Sequence, residues 1–116
     1  MRGTDTKGGA WSKVGNATVT DYFSNGSVWY KENADLIFVV LKDLELTKST
    51  AGAGSAVFAT GLPKPNAAYL FLLTDYQGNR TIRCSYKTDG KLYIHYPITV
   101  TPSEIQFYGQ IIAYKR

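Results

Sequence analysis

The chain is poor in the residues that most chemistry needs. It holds one cysteine, Cys84, so no disulfide can form within it. In TIRCSYK, alternation sets that thiol beside Ile82 and Tyr86, where a buried, inert sulfur is expected. It holds one histidine, His95, and without a second histidine or a cysteine cluster no metal site is expected. Charged residues make up only 19%, below the usual quarter of a soluble chain. The net charge is +4, yet the Lys and Arg residues are scattered. Nucleic-acid binding wants a concentrated basic stripe, so no such partner is expected. Arg80 and Arg83 do interleave with aromatics, but too sparsely for a stacking platform. No apolar stretch is long enough to span a bilayer, and no membrane insertion is expected; LIFVVL (Leu36 to Leu41) has the length of a strand. The start, MRGTDTKGGA, lacks the apolar stretch of a signal peptide. Residues 1–10 read as a linker or cloning remnant before a single domain over 11–116, as in a C-terminal module of something longer.

Catalytic signatures are missing too. No GxSxG, HExxH, CxxC or P-loop pattern occurs. The strand-like YIHYP around His95 has no glycine-rich elbow for a nucleophile. Asp21, Asp35, Asp43, Asp75, Asp89 and Glu104 fall mostly at turns or strand starts, where solvated acids are ordinary. The expectation is a protein that is not an enzyme and carries no cofactor. Asn-X-Ser/Thr triplets begin at Asn16, Asn25 and Asn79, and they read as turn chemistry.

What is present is apolar residues, 44% of the chain, and aromatics, 14%. No segment sustains an apolar 3.6-residue period, whereas strand-like runs recur between turn residues. ATVTDYF and VWYK flank SNGS, and Asn25-Gly26 predicts a hairpin between them. KENAD is a further turn. LIFVVLKDLELT starts apolar on both faces, and Lys42-Asp43 breaks its pattern, which predicts a bulge or bend near Lys42. KSTAGAGSA reads as a loop and SAVFA as a short strand. ATGLPKP (Ala59 to Pro65) reads as a crossover that cannot pair, carrying the chain from one sheet to another. AYLFLLT is again apolar on both faces, as a doubly buried strand would be. TIRCSYK and KLYIHYP form a hairpin through TDG. Ile82, Cys84, Tyr86, Leu92, Ile94 and Tyr96 fall on one face, and Thr81, Arg83, Ser85, Lys91, Tyr93 and His95 on the other. In the last strand Ile105, Phe107, Gly109, Ile111 and Ala113 share a face. The class predicted is all-β: an antiparallel β-sandwich, jelly-roll-like, of about eight strands.

Trp11 near a Gly-rich start, GLPKP, the DGKLYI hairpin (Asp89 to Ile94) and the terminal IIAYK strand carry a resemblance. They are similar to the C-terminal head domains of tailed-phage tail fibres and baseplate receptor-binding proteins. In that family a Leu-Pro…Pro element precedes such a hairpin; here Leu62-Pro63-Lys64-Pro65 is shorter than the usual form. The resemblance spans Trp11 to Arg116. It implies a homotrimeric head at the virion tail tip that binds host cell-surface polysaccharide, and it supplies no catalytic residue. The other readings are a monomeric carbohydrate-binding module of a bacterial secreted hydrolase, which would be extracellular, and a purely structural virion protein. On this view Gln106, Tyr108, Gln110, Ile112 and Tyr114 form the candidate subunit interface. Arg83, Tyr93 and His95, with Tyr76, Asn79 and Arg80 from the adjoining turn, form the candidate saccharide surface.

Overall fold

The computed structural model describes residues 13–102 and 105–116, so Trp11 and Glu104 lie outside the described residues. Those described form antiparallel strands and no helix. The strands are β1 (Lys13–Asn16), β2 (Thr18–Val19), β3 (Phe23–Ser24), β4 (Ser27–Glu32), β5 (Leu36–Leu46), β6 (Thr50–Thr60), β7 (Tyr69–Asp75), β8 (Thr81–Tyr86), β9 (Leu92–Ile98) and β10 (Gln106–Tyr114). The all-β, sandwich-like class predicted from alternation is the class observed. Strands outnumber the expected eight because Lys13–Asn16 forms a strand of its own and ATVTDYF divides into Thr18–Val19 and Phe23–Ser24.

Hydrogen-bonded neighbours follow the order β1-β4-β5-β10-β7-β8-β9-β6-β2, with β3 also on β5. The two ends of that order are one extended segment. β1 pairs with β4, β2 pairs with β6, and only Ala17 separates them. The Ala17 N–H donates to the Val28 carbonyl at 2.9 Å, so the segment stays fastened through the break. Lys13 to Val19 thereby closes the sheet on itself, which leaves few unpaired edges. One core fills the interior. Ile37, Val39, Leu41 and Phe107 line one wall, and Phe58, Leu73, Leu92 and Ile94 the other; each is at most 1% exposed. Phe23 meets Phe58 edge-on across the middle, ring centroids 5.2 Å apart.

The bulge predicted near Lys42 is there. Phe107 faces Leu44 and Gly109 faces Leu41, so Tyr108 alone spans Lys42 and Asp43. Asp43 takes the left-handed φ of 59° that the extra residue demands. The insertion switches parity. Ile37, Val39 and Leu41 point inward before it, and Leu44 and Leu46 point inward after it.

Three expectations are corrected. Asn25-Gly26 does not turn a hairpin. β3 and β4 both run along β5 in one register, Phe23 opposite Leu46 and Glu32 opposite Ile37. The left-handed pair, φ 57° and 75°, merely kinks the run. The chain reverses at Asn33 to Asp35 instead, where the Asn33 side-chain oxygen accepts the Asp35 and Leu36 amides, each at 2.8 Å. Pairing with the long β5 overrides the local turn preference. Next, AGAGSA is strand rather than loop. β6 includes it, with Ser55 opposite His95 and Gly54 opposite Tyr96. Ladder bonds need only backbone, so small exposed side chains do not prevent pairing.

The third concerns the proline segment. It does leave the ladder, but it does not join separate sheets, because the strands form one closed sheet. It arches from β6 to β7 over the tip of the β8–β9 hairpin. The Leu62 amide donates to the Gly90 carbonyl at 3.1 Å, and the Tyr86 hydroxyl donates to the Pro63 carbonyl. Buried Leu62 and Pro65 pin it to the core rim. The hairpin below is as predicted, with Leu92 facing Tyr86 and Ile94 facing Cys84.

Candidate functional site

β7, β8 and β9 lie side by side, and alternation turns every second residue outward. In register, Leu70 is opposite Ser85, which is opposite Tyr93; Leu72 is opposite Arg83. His95 follows two residues after Tyr93, on the same outer face. Between these strands lies a surface hollow of about 370 Å³, walled by Leu70, Leu72, Arg83 and His95 over the Phe71–Cys84 pair.

Each polar group is held by a neighbour. His95 Nε2 lies 2.9 Å from Ser85 Oγ. Arg83 Nη2 donates to the Tyr96 carbonyl at 3.0 Å. The Tyr93 hydroxyl donates to the Asp89 carboxylate, which also accepts the Lys91 amide at 3.0 Å. Lys87 Nζ sits 4.2 Å from the centre of the Tyr93 ring, a cation–π contact. Burial holds the His95 imidazole below its ordinary pKa, and the Lys87 and Arg83 charges push the same way. The Asp89 contact raises the Tyr93 phenol.

Of the sequence-derived saccharide residues, Arg83 and His95 meet in this hollow, with Tyr93 one register position away. Asn79 and Arg80 do not join them. They line a second, more polar hollow of about 470 Å³ with Thr81, Thr99 and Thr101. Arg80 is also occupied: its Nη1 donates to buried Asp75 at 3.0 Å, and Asp75 accepts the Asn79 amide at 2.9 Å. Tyr76 is exposed and lines neither hollow.

The proposed interface residues do share the outer face of β10. Gln110, Ile112 and Tyr114 are exposed, while Tyr108 donates to Asp43 at 2.6 Å. They continue sideways onto β5, Gln110 beside Val40 and Ile112 beside Phe38. On the other side is β7, whose outward leucines the apolar pattern predicts to be buried. Leu70 is 79% and Leu72 52% exposed, so that expectation is corrected. A run apolar on both faces signals a strand covered twice. Here the described residues cover only one face.

Alternation puts Ser85 on the face of Arg83 and His95, but nothing in its sequence neighbourhood marks it as part of a site. Its pairing with His95 makes a serine–histidine contact, yet Ser85 is 1% exposed, and among the described residues His95 has no carboxylate partner. Cys84 lies behind the hollow, buried, and burial pushes its thiol pKa well up, so it is a poor nucleophile. Among the described residues no group of three His, Cys, Asp or Glu side chains could hold a metal, and no helix is long and apolar enough to cross a membrane. No known family and no curated protein matches the chain.

Proposed function

We propose that this domain is a non-catalytic binding head. It associates with copies of itself through the outer face of β10 and presents the β7–β9 face to a cell-surface saccharide. A trimer at a phage tail tip is the setting the sequence resemblance implies. The observation that carries this reading is the outer strip formed by Leu70, Leu72, Ile112 and Tyr114, each more than half exposed and on neighbouring strands. Exposed apolar surface of this extent on one face of a small domain marks contact with a partner. Leu70 and Leu72 also wall the hollow, beside the convergent polar groups of Arg83 and His95, the usual make-up of a small-ligand site, which leaves Ile112 and Tyr114 on β10 for self-association. The closed, well-packed ring supplies the rigid support such a site needs.

Light scattering coupled to gel filtration tests the assembly, with a mass of three protomers expected. A glycan array tests the ligand. Retention of glycans by a single-protomer species would replace this reading with that of a monomeric carbohydrate-binding module. An array with no retained glycan would end the saccharide reading.

A further inference from the structure

The hollow between β7, β8 and β9 is electrically one-sided. Arg83 and His95 stand in its wall, and Lys87 is near enough to His95 to disfavour its protonation. Neighbouring elements bring little negative charge. β7 presents Leu70 and Leu72. β6 places Ser55 opposite His95 and Val57 opposite Tyr93. The Tyr93 hydroxyl is un-ionised at neutral pH. Asp89 is the carboxylate in reach, and it is committed to the Tyr93 hydroxyl and the Lys91 amide.

Arg83 stands out against the other arginines described. Arg80 pairs with Asp75 at 3.0 Å and Arg116 with Asp35 at 3.4 Å. Arg83 is exposed and, among the described residues, bonds only the neutral Tyr96 carbonyl, through one nitrogen. The rest of its planar fork of donors has no carboxylate partner among the described residues, and exposed Leu70 and Leu72 line the same hollow. A guanidinium fork matches a planar carboxylate with two parallel hydrogen bonds. Leucine walls suit the apolar C–H face of a ring. Both demands are met by a sugar that carries its own acid group.

We propose that the hollow binds the carboxylate-bearing residue of an acidic polysaccharide, a uronic or sialic type of sugar. Its carboxylate sits on Arg83 and His95, and its ring lies against Leu70 and Leu72. The proposal rests on the saccharide reading above and names the ligand class for that site. The volume, about 370 Å³, falls within the range of small-ligand sites, roughly 300–1,000 Å³. Protonation of His95 would add a second positive charge facing the carboxylate. Binding should therefore tighten as the pH falls through the range in which His95, held below its ordinary pKa by burial and by the Lys87 and Arg83 charges, gains its proton while the sugar acid is still ionised.

The test uses the full chain on an array carrying neutral and acidic glycans, followed by titration with a retained glycan and with its carboxyl-reduced counterpart. The expected result is retention of acidic glycans and a loss of roughly tenfold or more on reduction to the alcohol, the size of one charge-assisted hydrogen bond. Arg83→Gln should bring the same loss with an unchanged melting temperature, and His95→Gln should flatten the pH dependence. Equal affinity for the reduced glycan, or retention of neutral glycans alone, overturns this inference and leaves the saccharide reading standing. No retention of any glycan overturns both.

Discussion

At Gly90 the backbone takes a φ of 77°, and a Cβ there would lie 2.4 Å from the Leu62 carbonyl oxygen. The crossover is fastened to the hairpin tip through this close approach. Gly90→Ala should cost about 1–3 kcal/mol, the scale of a side chain forced into left-handed backbone, before any clash is counted. Urea denaturation against the parent chain measures it, and an unchanged midpoint would refute the tight contact. Asp75 governs the turn at the other end of β8. Burial pushes its carboxyl pKa up, but the Asn79 amide and the Arg80 amide and guanidinium outweigh that and hold it below the ordinary value. A depressed acid stabilises the fold above its unfolded pKa, near 3.9, and that contribution is lost as pH falls through the folded value. Asp21, lowered first by Lys48 and then by the Tyr22 amide, acts in the same direction. Acid titration of the melting temperature should therefore show a decline setting in below about pH 4, and Asp75→Asn should blunt it. At the alkaline end, the Tyr96 hydroxyl raises the Tyr22 phenol to about 12. That stabilisation is complete below about pH 10 and is lost as the pH climbs through the folded value. The three Asn-X-Ser/Thr triplets occupy different settings. Asn25 and Asn79 sit at a left-handed kink and in a turn, while Asn16 closes β1.

Among the elements, β5 shows what alternation can and cannot reveal. Its apolar start, its interruption at Lys42-Asp43 and its resumption at Leu44 were all readable, because a parity switch leaves a visible break in a two-residue period. Asp43→Val should destabilise by about 1–3 kcal/mol, since a branched side chain resists the 59° φ, whereas Asp43→Gly should be much milder. Equal losses from both would point to the Tyr108 hydrogen bond as the dominant effect. β6 was only half legible. Its SAVFA end carries strand residues, but AGAGSA pairs through backbone alone and leaves no side-chain signal. β7 misled in the opposite sense. Its leucines are apolar enough for a doubly buried strand, yet burial depends on what covers the outer face, which a two-residue period does not report. The pairing of β8 with β9 and their faces are legible in the sequence, because a short turn with Gly90 joins two alternating runs.

For the molecule as a whole, closure of the ring by Lys13 to Val19 leaves association to faces rather than edges. The proposed self-association through β10 predicts that Ile112→Lys gives single protomers in light scattering while leaving the fold intact, because residue 112 is already 57% exposed. A variant that keeps the parent mass would exclude the β10 face as the contact. The gathering of Arg83 and His95, and the exclusion from them of Asn79, Arg80 and Tyr76, follow from where strands lie in the ring. The amino-acid order alone determined the all-β class, the inward set of the β8–β9 hairpin, the bulge in β5 and the outer face of β10, since all of these are local consequences of a two-residue period and turn chemistry. Only the tertiary structure decided the closure of the ring, the fate of Asn25-Gly26, the strand character of AGAGSA and the partition of the surface residues into separate hollows. Those depend on pairings between segments far apart in the chain, whose free energies exceed the local preferences a short stretch can express.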